Sequence, residues 1–297
     1  MPSGGCLFTF YTLTSLHAGA GESTAAVDLA IQREKHTEYP VVYSSSMKGS
    51  LRWHFQCKGH ANIDQIFGSK DEKDGSGQVV FTDAKILFFP VRSSEGVFKW
   101  VTCPFVLNRL FDRDLLFLGN GADHVEFSGP PDATGIGFGG GPETTLLLED
   151  FPIKVGNNST KYATLKSYLK KLLEEFVDEN TIWERLIIVS NNVFKTLVTS
   201  STQVIARNEI DYATKTSKNL WYEEVVPADA VFYTIMTPTY RDNGVIADLA
   251  EHTSTQIMQI GGNETIGYGF VRMSANLAGQ ILGALSAAET IAESSTP

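Results

Sequence analysis

Leu7-Phe8-Thr9-Phe10-Tyr11-Thr12-Leu13-Thr14, followed closely by His17-Ala18-Gly19-Ala20-Gly21, is the stretch that sets the fold class. Its aromatic and β-branched residues read as a buried strand. The small residues after it read as a tight turn or loop, where a backbone can come close to a ligand. Further along, Val41-Val42 leads into Ser44-Ser45-Ser46, an N-cap cluster for a helix with Met47, Leu51 and Phe55 on one face. Strands are expected at Gln78–Phe89, Val97–Thr102, Leu186–Ser190 and Val231–Met236. Helices are expected at Lys161–Val177, Val245–Gln259 and Ala275–Glu293. Thr202–Tyr222 reads as two strands joined by the polar turn Asp211–Asn219. Gly129–Pro142 reads as a loop, and Gly261–Gly269 as a second Gly-rich loop. The irregular alternation, without repeats or an obvious linker, describes one α+β domain over 1–297 with insertions.

The chain has 297 residues and a net charge of −10. A negative body does not hold nucleic acid or an acidic membrane through its overall field, so a polyanion site has to be a local basic patch. The three cysteines, Cys6, Cys57 and Cys103, form no disulfide framework and no zinc spacing. They fit a reducing, cytoplasmic compartment. No apolar run is long enough to span a bilayer. Gly5–Leu16 imitates a signal core, but it lacks a basic leader and its threonines suit a strand.

Familiar catalytic signatures are missing. Gly135, Gly137 and Gly140 match G-x-G-x-x-G, yet Pro130-Pro131 before and Pro142 after leave no strand-to-helix setting for a dinucleotide. There is no GK[ST], HExxH or GxSxG. The segment Gln32–His60 is different. It carries Arg33, Lys35, Lys48, Arg52 and Lys58 with three histidines, against Glu34 and Glu38. Lys48 and Arg52 stand four apart on the expected helix, where like charges repel. Lys48 also lies in the first turn, where the dipole disfavours a cation. An anion relieves both, so serines, free amides and two cations make a phosphate cradle. A solvated cationic face that binds nothing is the plain alternative. Asp28, between Val27 and Leu29, is either a hydrogen-bonded structural carboxylate or a metal or acid–base group in a cleft. His17 is a turn histidine or a ligand-binding one. Gly261, Gly262, Gly267 and Gly269 form either a backbone nest or a bulged turn.

Taken in order, these pieces resemble the RAMP superfamily of CRISPR effector proteins. The marks are His17-Ala-Gly-x-Gly21, Ser45-Ser46-x-Lys48-Gly49-x-x-Arg52 and the loop Gly261–Gly269. The string Val27-Asp28-Leu29-x-Ile31-Gln32-Arg33-Glu34, followed by Pro40, resembles the repeated backbone subunit of the type III-B effector. Trp100-Val101-Thr102-x-Pro104, Arg207–Asp211, Leu220-Trp221-Tyr222-Glu223-Glu224 and Gln259-Ile260-Gly261-Gly262 fit as well.

The resemblance implies a ferredoxin-like, RRM-like core with insertions, including a β-hairpin thumb at about 202–224. It implies partners: guide CRISPR RNA, target RNA, copies of the chain in a helical filament and other type III-B subunits, with no membrane. It implies metal-dependent endoribonuclease activity on guide-paired target RNA, with Asp28 as catalytic and metal-binding residue and Mg²⁺ or Mn²⁺ as the ion. His17 is a further catalytic candidate. Arg33, Lys35, Ser45, Ser46, Lys48, Arg52 and the four glycines Gly261, Gly262, Gly267 and Gly269 are the RNA-binding candidates. Tyr222 and Glu223 stand near the same site. The competing readings are a non-catalytic RNA-binding scaffold and a metal-independent guide-processing nuclease with His17 as base.

Overall fold

The computed structural model describes residues 4–22, 27–69, 75–114, 127–157, 162–239 and 244–277. In chain order the first elements are β1 (Cys6–Thr12), β2 (Gly19–Glu22), β3 (Leu29–Ile31), β4 (Val41–Val42), α1 (Ser44–Cys57) and α2 (Ile63–Phe67). Next come β5 (Val79–Phe81), β6 (Ala84–Arg92), β7 (Phe98–Thr102) and α3 (Pro104–Asn108), which runs into a π-helical turn at Arg109–Asp114. The middle holds β8 (Thr134–Gly137), β9 (Thr144–Leu148), β10 (Phe151–Asn157), α4 (Ala163–Leu173), α5 (Glu179–Arg185), β11 (Leu186–Val189) and α6 (Asn191–Ser200). The chain then forms β12 (Gln203–Ile210), β13 (Ser217–Val225), β14 (Val231–Pro238), α7 (Val245–Thr253), β15 (Ile257–Gln259) and β16 (Phe270–Leu277).

The larger sheet runs β15-β16-β1-β14-β6-β7-β11-β8-β10-β9, with β4 on β6 and β5 on β14. Its centre is antiparallel throughout: β16 on β1, β1 on β14, β14 on β6. β14 is buried along its whole length, the mark of a strand covered on both faces. Phe10 and Phe232 face each other across β1 and β14 and stack with centroids 5.1 Å apart. α1 turns Met47, Leu51 and Phe55 inward at i, i+4 and i+8 and packs near β5 and β15; α7 packs near β14 and β16.

The smaller sheet, β12-β13-β3-β2, takes in Leu29–Ile31 of the string Val27–Glu34. β3 has three residues and pairs with β13 at one position, Leu29 against Glu223, so ladder bonds alone hold it weakly. Side chains do the rest. Glu224 accepts from the Ile31 amide (3.1 Å), the Arg33 guanidinium (2.6 Å) and the Thr202 hydroxyl (2.7 Å). Arg33 also donates to the carbonyls of Glu38 and Val198. Gln32 donates to the Gly19 carbonyl (2.9 Å) and the Ser46 hydroxyl (3.2 Å), and accepts from the Tyr43 amide (2.6 Å). Glu34 takes Arg109 on both oxygens, at 2.6 and 2.8 Å. Burial opposes the charge of Glu224, but Arg33, Thr202 and Ile31 together hold its carboxyl below the ordinary value. Burial opposes Glu34 likewise, and Arg109 with Thr37 overcomes it.

Several sequence expectations change. Ser44, Ser45 and Ser46 lie inside α1; its N-cap is Tyr43, and the Ser44 amide donates to the Asp83 carboxylate at 2.7 Å. The expected strand Gln78–Phe89 is two strands, broken at Thr82-Asp83, which supply that cap and bond Thr234. The expected loop Gly129–Pro142 contains β8. Gly135 and Gly137 share one face of that strand, where added methyls would strike Ile187 and Val155 at 2.9 and 2.8 Å. Gly19–Gly21 of the expected turn belongs to β2. The helix expected to reach Gln259 ends at Thr253, and Thr255 turns with positive φ into β15. Ala275 to Leu277 belongs to β16; the rest of the expected C-terminal helix, and Lys161 at the start of the other, lie outside the described residues.

Two outcomes follow from this packing. Leu51→Ala removes a fully buried side chain and lowers the unfolding free energy by about 3 kcal/mol in urea titration. Trp53→Ala, on the exposed side of α1 at 58% exposure, changes it by less than about 0.5 kcal/mol. Glu224 and Glu34 have folded values below the ordinary 4.5, so their contribution is complete above that pH and is lost as pH falls through the lowered values. The urea midpoint therefore drops steeply below pH 4.5, and Glu224→Gln, weaker at neutral pH, shows a flatter acid slope.

Candidate functional site

Asp28 precedes β3 directly, half-buried, where that strand meets the base of the β12–β13 hairpin. Its Oδ2 accepts the Tyr222 amide at 2.8 Å. Alternation along β13 then places Tyr222 outward, 43% exposed, and Glu223 inward, 2% exposed. Glu223 accepts from Arg207 Nε at 3.0 Å and from Asn263 Nδ2, and His17 Nδ1 lies 3.6 Å away. Arg207 also stands over the Tyr268 ring, 5.0 Å from its centroid. The hairpin beyond this base carries Val204, Ile210, Tyr212, Leu220 and Tyr222 exposed, with Tyr212 at 87%.

His17 is buried and doubly held. Its Nδ1 is 2.7 Å from the Glu224 carbonyl oxygen; a carbonyl only accepts, so the neutral ring carries its proton on Nδ1 and leaves Nε2 with the lone pair. Nε2 rests over Gly19, where a methyl would come within 2.8 Å of it. The His17 carbonyl accepts the Gly262 amide at 2.9 Å. Gly261 has φ +82°, and a Cβ there would fall 2.3 Å from that carbonyl oxygen, so only glycine fits. The Gly269 amide donates to the Ser15 carbonyl and that of Gly267 to Glu264. The Gly-rich loop thus clamps the Ser15–His17 segment, with three of its four glycine amides bonded within the fold.

The basic candidates divide. Arg52 donates to the Gly68 carbonyl (2.8 Å) and to Asp64 (3.1 Å), which ties α1 to the end of α2. Arg33 serves Glu224 and two carbonyls, as described above. Both were expected to hold phosphate; in the structure both make bonds within the fold. Lys35 is exposed in a turn, and Lys48 is half-exposed on α1; among the described residues neither has a hydrogen-bond or ion-pair partner. Ser45 is exposed, and Ser46 reaches Gln32. Asp83 already answers the dipole at the Ser44 amide, so the cradle at the helix start is narrower than the serine cluster implied. Asp28, His17, Tyr222, Glu223, Gly261 and Gly262 thus come together through direct contacts, and Gln32 joins the first turn of α1 to the same region through Gly19.

The residues around Asp28 fit one kind of cation. Among the described residues the site offers one carboxylate, with one oxygen engaged by the Tyr222 amide, while both Glu223 oxygens are engaged internally. That suits a mostly hydrated Mg²⁺ shared with substrate phosphates, and does not suit an ion caged by protein. Sequence reasoning missed Arg207, Asn263 and Glu224. Asn263 carried a usable signal: it follows Gly261-Gly262 and takes the left-handed conformation at φ +64°. Arg207 and Glu224 stood in the strings Arg207–Asp211 and Leu220–Glu224 that fit the resemblance, but nothing in those strings marked what each would hold.

Comparison with known proteins places this architecture. The family model described as the RAMP superfamily matches residues 9–272. A Pyrococcus furiosus protein named CRISPR system Cmr endoribonuclease Cmr4 is 38% identical over 284 residues, 90% of this chain and 94% of the relative. A Saccharolobus solfataricus CMR subunit Cmr4 is 25% identical over 312 residues, 90% of this chain and 98% of its own. The crystal structure of oligomeric Cmr4 from Pyrococcus furiosus superposes with a TM-score of 0.74 at 33% identity, covering 93% of this chain and 99% of that one. With a match that spans nearly all of both sheets, the chain belongs to the RAMP superfamily.

Proposed function

We propose that this chain is a backbone subunit of a type III-B CRISPR effector complex that binds guide RNA in a filament of its own copies and cleaves the paired target RNA. The observation that carries the reading is the position of Asp28. It stands half-exposed at the foot of an apolar, exposed hairpin, in a chain 38% identical to an endoribonuclease over 90% of its length. The sheet order β16-β1-β14-β6, with α1 between β1 and β6 in sequence and α7 between β14 and β16, supports reading the centre as a ferredoxin-like core. The β12–β13 hairpin is the thumb, and the chain works as one unit in the cytoplasm. No helix among the described residues is long and apolar enough to cross a membrane.

In this reading the 2′-hydroxyl of the target attacks the adjacent phosphorus. The 2′-oxygen–phosphorus bond forms as the bond to the 5′-oxygen breaks; the 2′-hydroxyl gives up its proton to a base and the departing 5′-oxygen takes one from water, leaving a cyclic phosphate and a 5′-hydroxyl. Asp28 would hold a hydrated Mg²⁺ or Mn²⁺, and the ion would supply neutralisation of the charge that develops on the phosphate. The Tyr222 amide fixes the Asp28 carboxylate in place. His17 presents Nε2, the free nitrogen of the ring, for a proton; the Glu224 carbonyl and Gly262 amide hold the residue still. Glu223, Arg207 and Asn263 keep the hairpin base rigid. Lys48 and Lys35 hold phosphates, with Ser45 and Ser46 beside them.

The Asp28–Tyr222 bond also favours a second reading, in which Asp28 only clamps β3 to the hairpin and the chain is a scaffold. Asp28→Asn separates the two, because the amide oxygen still accepts from Tyr222 while the charge is gone. Assembled on guide RNA, Asp28→Asn and Asp28→Ala are both expected to bind target and to cut it at least ~100-fold more slowly. EDTA is expected to stop the wild type, and Mg²⁺ or Mn²⁺ to restore it. Wild-type cutting by Asp28→Asn would sink the catalytic role, and metal-free cutting of precursor RNA by the isolated subunit would favour guide processing. For Lys48→Ala, the expected result is weaker RNA binding regardless of sequence, with the slope of log K against log salt reduced by about 1; an unchanged slope would remove Lys48 from the RNA face.

A further inference from the structure

Away from Asp28, the end of α1 meets α7 around three side chains that the proposed reaction does not use. His60 follows α1, and Asp248 and His252 lie four apart on one face of α7. His60 Nε2 is 3.3 Å from Asp248 Oδ1, and His252 Nδ1 is 3.2 Å from the same oxygen. One ligand atom from each of the three falls within 4.8 Å of the others. A tetrahedral ion with bonds of about 2.0–2.1 Å keeps its ligands about 3.3 Å apart, so the His60–Asp248 edge already has the right length.

We propose that His60, Asp248 and His252 bind one Zn²⁺ ion per chain. Two imidazoles and a carboxylate are a borderline donor set that favours Zn²⁺ over the oxygen-seeking Mg²⁺. The surroundings support the ligands. Asn62 Nδ2 donates to the second oxygen of Asp248 at 3.1 Å. His252 Nδ1 is 2.8 Å from the Asp248 carbonyl oxygen, so without metal the ring proton sits on Nδ1, and it moves to Nε2 when Nδ1 takes the ion. The His60 amide donates to the Phe55 carbonyl at 3.0 Å, so the ring hangs from a fixed backbone. Its side chain is 10% exposed. Without metal, the Asn62 amide donates to His60 Nδ1 at 3.1 Å, which puts the ring proton on Nε2, toward Asp248. On binding, that proton moves to Nδ1, the ion takes its place between Nε2 and Oδ1, and the exposed Asn62 amide turns to water. A cavity of about 270 Å³, lined by Phe55, Lys58, His60, Glu251 and His252, adjoins the site and gives a fourth ligand, water or an anion, room to bind.

The test uses full-length protein stripped with EDTA and dialysed. Calorimetric titration is expected to show one equivalent of Zn²⁺ that a large excess of Mg²⁺ does not displace. Co²⁺ is expected to give the visible absorption of a low-symmetry nitrogen–oxygen site without thiolate charge transfer. His60→Ala with His252→Ala abolishes the equivalent, Asn62→Ala weakens it about 10-fold, and Asp28→Asn keeps it. No saturable equivalent, binding unchanged in the double variant, or thiolate absorption from a site at a cysteine such as the exposed Cys57 would each overturn the proposal. Should the double variant fail to fold, the stoichiometry and Co²⁺ spectrum of the wild type decide.

Discussion

The Glu224 carboxylate is the joint on which the site depends. It is buried at the end of β13, where an unpaired charge would cost several kcal/mol. It is tolerated because three donors from three places close on it: the Ile31 amide from β3, the Arg33 guanidinium and the Thr202 hydroxyl before β12. Its own carbonyl fixes the His17 ring. One residue thus sets the distance between the strand behind Asp28, the base of the hairpin and His17. A three-residue strand paired at a single position has no such accuracy by itself. The accuracy comes from side chains that are costly to leave unsatisfied.

The cations divide by chemistry. Arg33, Arg109 and Arg207 make buried or half-buried pairs with Glu224, Glu34 and Glu223, and Arg52 reaches a carbonyl and Asp64. A guanidinium has five donors in a plane and is weakly hydrated, so it satisfies a buried carboxylate and a carbonyl at once. Lys35 and Lys48 stay outside, where a compact, strongly hydrated charge is cheaper. On a chain with a net charge of −10 this division has a consequence. Arg33, Arg109 and Arg207 neutralise carboxylates inside, and Lys35 and Lys48 are left at the surface without a side-chain partner among the described residues.

The same division explains what could be read in the sequence. β1, β14 and the buried face of α1 were legible, because apolar periodicity reports burial directly and Met47, Leu51 and Phe55 allow one arrangement. The hairpin was legible from its polar turn. Asp28 and His17 were found through their strings, and Asp28 does sit at the hairpin base. The basic cluster misled in part. Spacing shows that Arg52 and Lys48 share a helix side; it does not show that Asp64 and the Gly68 carbonyl await Arg52. Serines before a helix suggest a cap, but Asp83, thirty-nine residues away, supplies it. Gly135 and Gly137 look like a loop, because the Ile187 and Val155 side chains that exclude a Cβ there are distant in sequence. Each failure is a local pattern settled by a non-local partner.

The shape of the site also follows from what it holds. The larger of the two cavities described, about 400 Å³ and walled by Trp183 and Gly137–Pro142, contains none of the residues around Asp28. A small substrate is usually enclosed in such a cavity, since burial of its surface provides most of its affinity. A polymer does not need enclosure. Its affinity is spread over many phosphates and stacked bases, and the reacting bond only has to pass a fixed point. In the proposed function that point is Asp28, at the foot of the hairpin and backed by the bonded cluster of Glu223, Arg207, Asn263 and His17. In the proposed function the exposed apolar side chains of the hairpin give that point its direction, by lying along the duplex.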